Sequence, residues 1–237
     1  MAGELTHLGF IVDGNRRWAR SRGLPTLEGH RRGFDRVDEV IDALKDTEVK
    51  YASFFVFSTE NWDRSQEEID YLMDMIWKKI DKLTKKAQKE NLRIVLMGRP
   101  ERVDPKLWQR ILQSEEDTKN NTGLSIIFCF NYGGKWEIAD AANKAIRSAI
   151  EKPDSFVDLT PEDFAKYLYH PEVPALDMVV RTSGEQRISG FQLWRSAYAE
   201  FWFVKKQFPD FTKDDALTAI EEFHQRHRRF GKWFLVK

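Results

Sequence analysis

Short apolar runs alternate along this chain with longer stretches in which apolar residues recur every three or four positions. The runs Leu8 to Val12, Tyr51 to Phe57, Leu92 to Met97, Leu124 to Phe130, Asp177 to Val180 and Phe201 to Val204 predict strands. Tyr51 to Phe57 is nearly unbroken, the pattern of a strand buried on both faces. Gly29 to Lys45 carries Phe34, Val37, Val40, Ile41 and Leu44 at helical spacing. Ser65 to Glu90 carries Ile69, Leu72, Met73, Ile76, Ile80 and Leu83 as a stripe broadened by Met75 and Trp77, with Ser65 as N-cap and Glu68 in the capping-box position. Further helices are predicted over about Pro105 to Lys119, about Lys135 to Ile150, from Thr160-Pro161-Glu162, and from Lys213 to about Phe230. This alternation predicts a single α/β domain over residues 1–237, with a mainly parallel central sheet flanked by helices. Pro153 to Asp158, the most loop-like interior stretch, is too short to divide it.

Three segments set polar chemistry directly after such runs: His7 to Trp18, Phe57 to Arg64, and Arg181 to Ser189. In a parallel sheet, strand ends of this kind lie on one edge, where ligands bind. Gly14 allows a tight turn after the first strand, and N–H groups at the following helix start suit a phosphate. Arg16 and Arg17 add charge-assisted donors. Asp13 would repel phosphate unless a cation bridges the two, so its position suggests Mg²⁺. Arg181, Arg187 and Ser189 are spaced to converge on an oxyanion. Glu200, between Tyr198-Ala199 and Phe201-Trp202-Phe203, is a carboxylate in an apolar setting, usually paired or metal-bound. Plainer readings stand beside these. Asp13 and Asn15 can merely cap a helix, Trp62 can be ordinary packing, the 181–189 loop can be solvated charge, and His30 can be a surface residue. The apolar face of the long helix reads as core, although two amphipathic helices beside a sheet can also flank a deep apolar slot below a phosphate-binding edge.

Composition narrows the classes. Of 237 residues, 38 are basic and 38 acidic, so net charge gives no support to nucleic-acid binding. Hydrophobic residues make up 41%, enough for a substantial core. Cys129 is the only cysteine, which rules out an intramolecular disulfide and favours a reducing, cytosolic setting. The first residues lack a signal-peptide pattern, and no run approaches the roughly 20 apolar residues of a membrane span.

Taken in order, Asp13-Gly14-Asn15-Arg16-Arg17-Trp18, Gly29-His30, Phe57-Ser58-Thr59-Glu60-Asn61-Trp62 with Arg64, Asn131-Tyr132-Gly133-Gly134, Arg181-Thr182-Ser183-Gly184-Glu185 with Arg187-Ile188-Ser189, Tyr198-Ala199-Glu200, Phe208-Pro209-Asp210-Phe211 and Arg228-Arg229-Phe230-Gly231 resemble the motifs of the cis-prenyltransferase family. The resemblance spans nearly the whole chain. It implies a homodimer whose domain encloses an elongated hydrophobic tunnel. It implies Mg²⁺-dependent condensation of isopentenyl diphosphate with an allylic diphosphate, such as farnesyl or geranyl diphosphate, to a Z-polyprenyl diphosphate. On that resemblance, the backbone of Gly14, Asn15 and Arg16, with Arg17 and His30, would hold the allylic diphosphate. Asp13 would engage Mg²⁺ and assist departure of pyrophosphate. Arg181, Arg187 and Ser189, in a loop with Ile188, would hold isopentenyl diphosphate, with Glu200 contributing to the metal. Asn61, in a loop with Ser58, Thr59 and Glu60, matches the position assigned to proton removal, for which pyrophosphate oxygens, His30 or a water are alternatives. Trp18, Trp62 and Arg64 would shape the pocket. A cytoplasmic protein, meeting membranes peripherally through its lipid product, is the implied setting.

Three positions depart from the pattern. Thr26 stands where many relatives have an arginine, Gln186 where some have a histidine near the metal, and Val56 where alanine is frequent. Two rival readings remain: a non-catalytic partner subunit on the same fold, and a nucleotide-binding enzyme using the Asp13-Gly14 turn. The second finds no Gly-x-Gly-x-x-Gly or Walker A pattern.

Overall fold

The computed structural model describes residues 3–152 and 158–227. Six strands, β1 (His7–Ile11), β2 (Tyr51–Ser58), β3 (Arg93–Gly98), β4 (Ser125–Tyr132), β5 (Met178–Arg181) and β6 (Glu200–Phe203), form one sheet in the order β3-β4-β2-β1-β5-β6. Every pairing is parallel. Helices α1 (Asn15–Ser21), α2 (Thr26–Leu44), α3 (Gln66–Lys89), α4 (Pro105–Thr118), α5 (Gly134–Glu151), α6 (Pro161–Ala165) and α7 (Lys213–His224) connect and cover it. The boundaries agree with the hydrophobic pattern to within a few residues. The last helix ends at His224, short of the expected Phe230; the Arg228 to Gly231 motif and residues 153–157 lie outside the described residues.

Parallel strands are buried on both faces, and the side chains of β1 divide accordingly. Leu8 and Phe10 enter a core with Val40, Ile41 and Leu44 of α2 and Phe223 of α7. Ile11 enters a second core with Val179, Cys129 and Phe191. A third cluster joins Leu72 and Ile80 of α3 to Leu107 and Ile111 of α4 and the sheet residues Phe57, Leu96 and Phe130.

The chain leaves β1 through α1 and α2 for β2 on one side, whereas β5 continues to β6 on the other. The carboxyl ends of β1 and β5 therefore flank a topological switch point, where open α/β sheets bind ligands. Register shifts after Phe55 and Phe57 end β2 irregularly and turn Ser58 into the 3-10 turn Thr59–Asp63.

Candidate functional site

Asp13 and Gly14 link β1 to α1. Gly14 holds φ at 106°, a left-handed value costly for other residues, and a Cβ there would stand 2.8 Å from Ser183 Oγ. In the first turn of α2, Gly29 lets the α1 backbone cross α2, since a Cβ would lie 2.0 Å from the Asn15 carbonyl oxygen. These close approaches bring the β1 turn, the start of α1 and the first turns of α2 into one corner.

Arg181 ends β5 beside Asp13. Its side chain is 5% exposed and donates from Nη2 to Asp13 Oδ2 at 3.0 Å. Nη1 donates to Ser189 Oγ at 2.9 Å and to the Arg187 carbonyl oxygen. Nε is buried with no partner. Arg17 Nη2 reaches the same Asp13 oxygen at 3.2 Å, and its Nη1 donates to Glu185 Oε1 at 2.7 Å. Glu185 also accepts from Arg187, and these arginines hold its carboxyl below the ordinary range. Three arginines thus meet two carboxylates at one edge.

A second cluster lies across the pocket. Glu68, nearly buried, accepts from His30 Nε2 at 2.9 Å and from Arg64 Nη1 at 3.0 Å, with Arg16 Nε at 3.8 Å. Burial lowers the His30 pKa below its ordinary value, so the ring is neutral at pH 7. The sequence shows Glu68 only as a capping partner of Ser65. Its backbone N–H does bond to Ser65 Oγ, but its carboxylate is drawn to the site instead.

Between the clusters is a pocket lined by Asp13, Asn15, His30, Ser58, Asn61, Arg64, Arg181 and Ser189, with apolar Phe34, Val37, Val56 and Leu72 at its floor. Asn61 Oδ1 accepts from the Ser58 N–H at 3.1 Å in a reciprocal cap, which fixes the amide against the pocket wall. Glu60, Ser58, Asn61 and Ser189 also border an adjoining depression with Gly133 and Trp136. Thr59 packs beside Gly133 and bonds to Glu60, and Ile188 packs on the second core.

Three expected site residues are not among those lining the pocket in this protomer. Trp18 donates from Nε1 to Asp210 at 2.7 Å, and Trp62 donates to Asn131 at 2.7 Å while packing edge-on against Phe57. Both indole N–H groups are held by side-chain acceptors, and neither ring is among the residues lining the pocket. Glu200 starts β6 and is paired in register with Met178, three residues before Arg181. That puts it about 10 Å down the strand, toward the amino edge. There it accepts from Arg226 at 3.1 Å. Within one protomer Glu200 does not join Asp13 around a metal, and no group of three metal-ligating side chains occurs among the described residues.

Comparison with known proteins bears on this geometry. The family model described as putative undecaprenyl diphosphate synthase matches residues 11–231. An isoprenyl transferase of Thermotoga maritima is 43% identical over 225 residues, covering 95% of this chain and 96% of that one. A ditrans,polycis-undecaprenyl-diphosphate synthase of Vibrio vulnificus, specific for (2E,6E)-farnesyl diphosphate, is 40% identical, covering 95% and 90%. Lavandulyl diphosphate synthase from Lavandula x intermedia, solved with dimethylallyl diphosphate, superposes with a TM-score of 0.88 at 31% identity, covering 96% of this chain and 98% of that one.

Proposed function

Because the chain belongs to the undecaprenyl diphosphate synthase family, we propose that it is a cis-prenyltransferase joining isopentenyl diphosphate to an allylic diphosphate, such as farnesyl or geranyl diphosphate, to make a Z-polyprenyl diphosphate. The observation that carries this reading is the meeting of an arginine-rich head pocket with an apolar floor at one sheet edge. Such a pocket suits an amphiphile with an anionic head and a hydrocarbon tail.

Arg181, Ser189 and Arg187 hold the diphosphate of isopentenyl diphosphate on this reading. Arg181 and Ser189 both line the pocket, which supports this role. The N–H groups of Gly14, Asn15 and Arg16, unclaimed by helical acceptors at the start of α1, hold the allylic diphosphate with Arg17. Donors fixed before the reaction stabilise charge as it grows on the leaving pyrophosphate. His30, neutral and paired with Glu68, lines this site without adding positive charge. One lone pair of Asn61 Oδ1 is used by Ser58, and the second is free to accept the proton lost from isopentenyl diphosphate. Phe34, Val37, Val56 and Leu72 keep water from the allylic cation.

Magnesium is the metal this reading implies. Asp13 is a single carboxylate already facing two guanidinium groups. It fits Mg²⁺ held by one carboxylate, substrate diphosphate oxygens and water, rather than a cage built of protein alone. The ion would offset charge on the departing pyrophosphate.

The same reading includes a homodimer in the cytoplasm, touching membranes only through its product. The exposed apolar strip Ile146, Ile150 and Leu159 supports the dimer, and no helix among the described residues is long and apolar enough to cross a bilayer. A monomer in sedimentation velocity would remove the dimer. Vesicle binding without product would remove the tail-only contact.

The deciding experiment is incorporation of labelled isopentenyl diphosphate by the purified chain with Mg²⁺ and farnesyl diphosphate. Chain elongation is expected. Incorporation only after a second subunit is added would leave this chain a non-catalytic partner.

A further inference from the structure

The head pocket continues past Phe34, Val37 and Val56 into an apolar slot between α2, α3 and the sheet. Two sets of charges border its outer side. Asp35, Asp38 and Asp42 follow one another on α2 at intervals of three and four residues, and Lys79, Lys82 and Lys86 do the same on α3. Each set lies along one side of its helix. The outer rungs are closed: Lys79 Nζ is 2.7 Å from Asp35, and Lys86 Nζ is 2.7 Å from Asp42. A further pair, Lys45 with Glu90 at 2.8 Å, continues the seam. The middle rung is open. Neither Asp38 nor Lys82 closes an ion pair among the described residues, yet both border the slot. Burial keeps the Asp38 carboxyl above its ordinary range although three lysines stand near it. Below this level Ile41, Leu44 and Ala87 are fully buried in the core and block the way.

We propose that Asp38, with Lys82 opposite, is the stop that limits product length in this chain, an inference that rests on the prenyl-transfer reading above. A tail growing down the slot gains apolar burial with each added unit. At the open rung, the next unit must strip water from a carboxylate that has no ion-pair partner, and that cost cancels the gain. The closed rungs on either side hold α2 to α3, so the tail has no wider path around the charge.

Asp38→Val, Lys82→Met and the double variant are to be compared with the parent and with Lys85→Met, an exposed lysine of α3 outside the slot lining. Labelled products are separated by chain length. The longest parent product is expected to be exceeded by at least one isoprene unit in Asp38→Val, and by more in the double variant, with Lys85→Met unchanged. Normal incorporation with the parent distribution in Asp38→Val and the double variant overturns the stop. Absence of incorporation by the parent itself overturns the prenyl-transfer reading instead. Asp38 is partly buried and makes no ion pair among the described residues, and Lys82 is exposed, so melting temperatures near or above the parent's are expected. Should Asp38→Val fail to fold, Asp38→Asn removes the charge at nearly constant shape and gives the same readout.

Discussion

Two buried arginines each pair with a carboxylate beside the sheet, and the pairs differ in what is left over. Arg195 pairs with Glu137 at 2.7 Å, with side chains 3% and 1% exposed. All of its nitrogens are used: Nη1 on Glu137, Nε on the Val173 carbonyl oxygen, and Nη2 on those of Tyr169 and His170. Glu137 in turn accepts from the Tyr132 hydroxyl and the Tyr169 N–H. Arg181 pairs with Asp13 just as directly, but its Nε is unpartnered and Asp13 is 29% exposed beside a pocket. A buried ion pair alone does not mark a site. A carboxylate that stays partly exposed at the wall of a pocket does set the Asp13 pair apart. The closed network ties the 169–173 turns and the 190–196 segment to α5, so it serves the arginine cluster only by holding its loop.

The largest expected effect falls on the closed pair. Arg195→Ala leaves Glu137 buried without its cation and should cost about 3–5 kcal/mol of stability, read by denaturant unfolding. A loss under about 1 kcal/mol would mean the network is not closed after all. Asp13→Ala should do the reverse. Its melting temperature should stay near the parent's while the chemical step falls by about 10²–10³-fold, the scale of losing one key electrostatic contact. Near-normal turnover would erase the contrast between the two pairs.

Protons sharpen it further. His7 lies in the closed region, donating from Nδ1 to the Pro174 carbonyl oxygen at 2.9 Å and accepting at Nε2 from Ser53 Oγ at 2.7 Å. Burial lowers its pKa from 6.5 to about 4. Between those values the unfolded chain binds a proton that the folded chain refuses, so stability rises with pH across this window. Acidification from about pH 6.5 to about pH 4 should therefore cost about 3 kcal/mol from this group, and His7→Gln should flatten that part of the curve. An unchanged slope in the variant would assign the acid sensitivity to other groups. The smallest effect is expected at the exposed rim. Arg187→Ala should raise KM for isopentenyl diphosphate about tenfold with little change in kcat, as for one charge-assisted contact. An unchanged KM would mean that the two diphosphate positions are exchanged.

Much of this was legible in the chain. Strand runs and helical stripes read correctly because burial on both faces of a parallel strand and on one face of a helix leaves periods that neighbours in sequence reveal. Asp13 and Arg181 were legible as edge residues because each directly follows such a run. Glu68 was visible only as a cap, since nothing local shows that its carboxylate turns toward His30, 38 residues away. The hydrogen bonds that hold Trp18 and Trp62 were not legible, because their acceptors, Asp210 and Asn131, are remote in sequence. The position of Glu200 was not legible either: it opens its strand, whereas Arg181 closes the neighbouring one, and adjacency in the sheet is not adjacency at an edge.

Sequence alone determined which residues were apolar, at what period, and which charged groups followed them. That is enough to settle an alternating α/β chain and to offer a set of candidate side chains, because periodic burial and backbone turns are local properties. Only the tertiary structure decided which charges meet, which stay unpartnered, and where the slot between α2 and α3 ends. Those outcomes depend on register, strand order and competition among distant hydrogen-bond partners, and no window along the chain contains them.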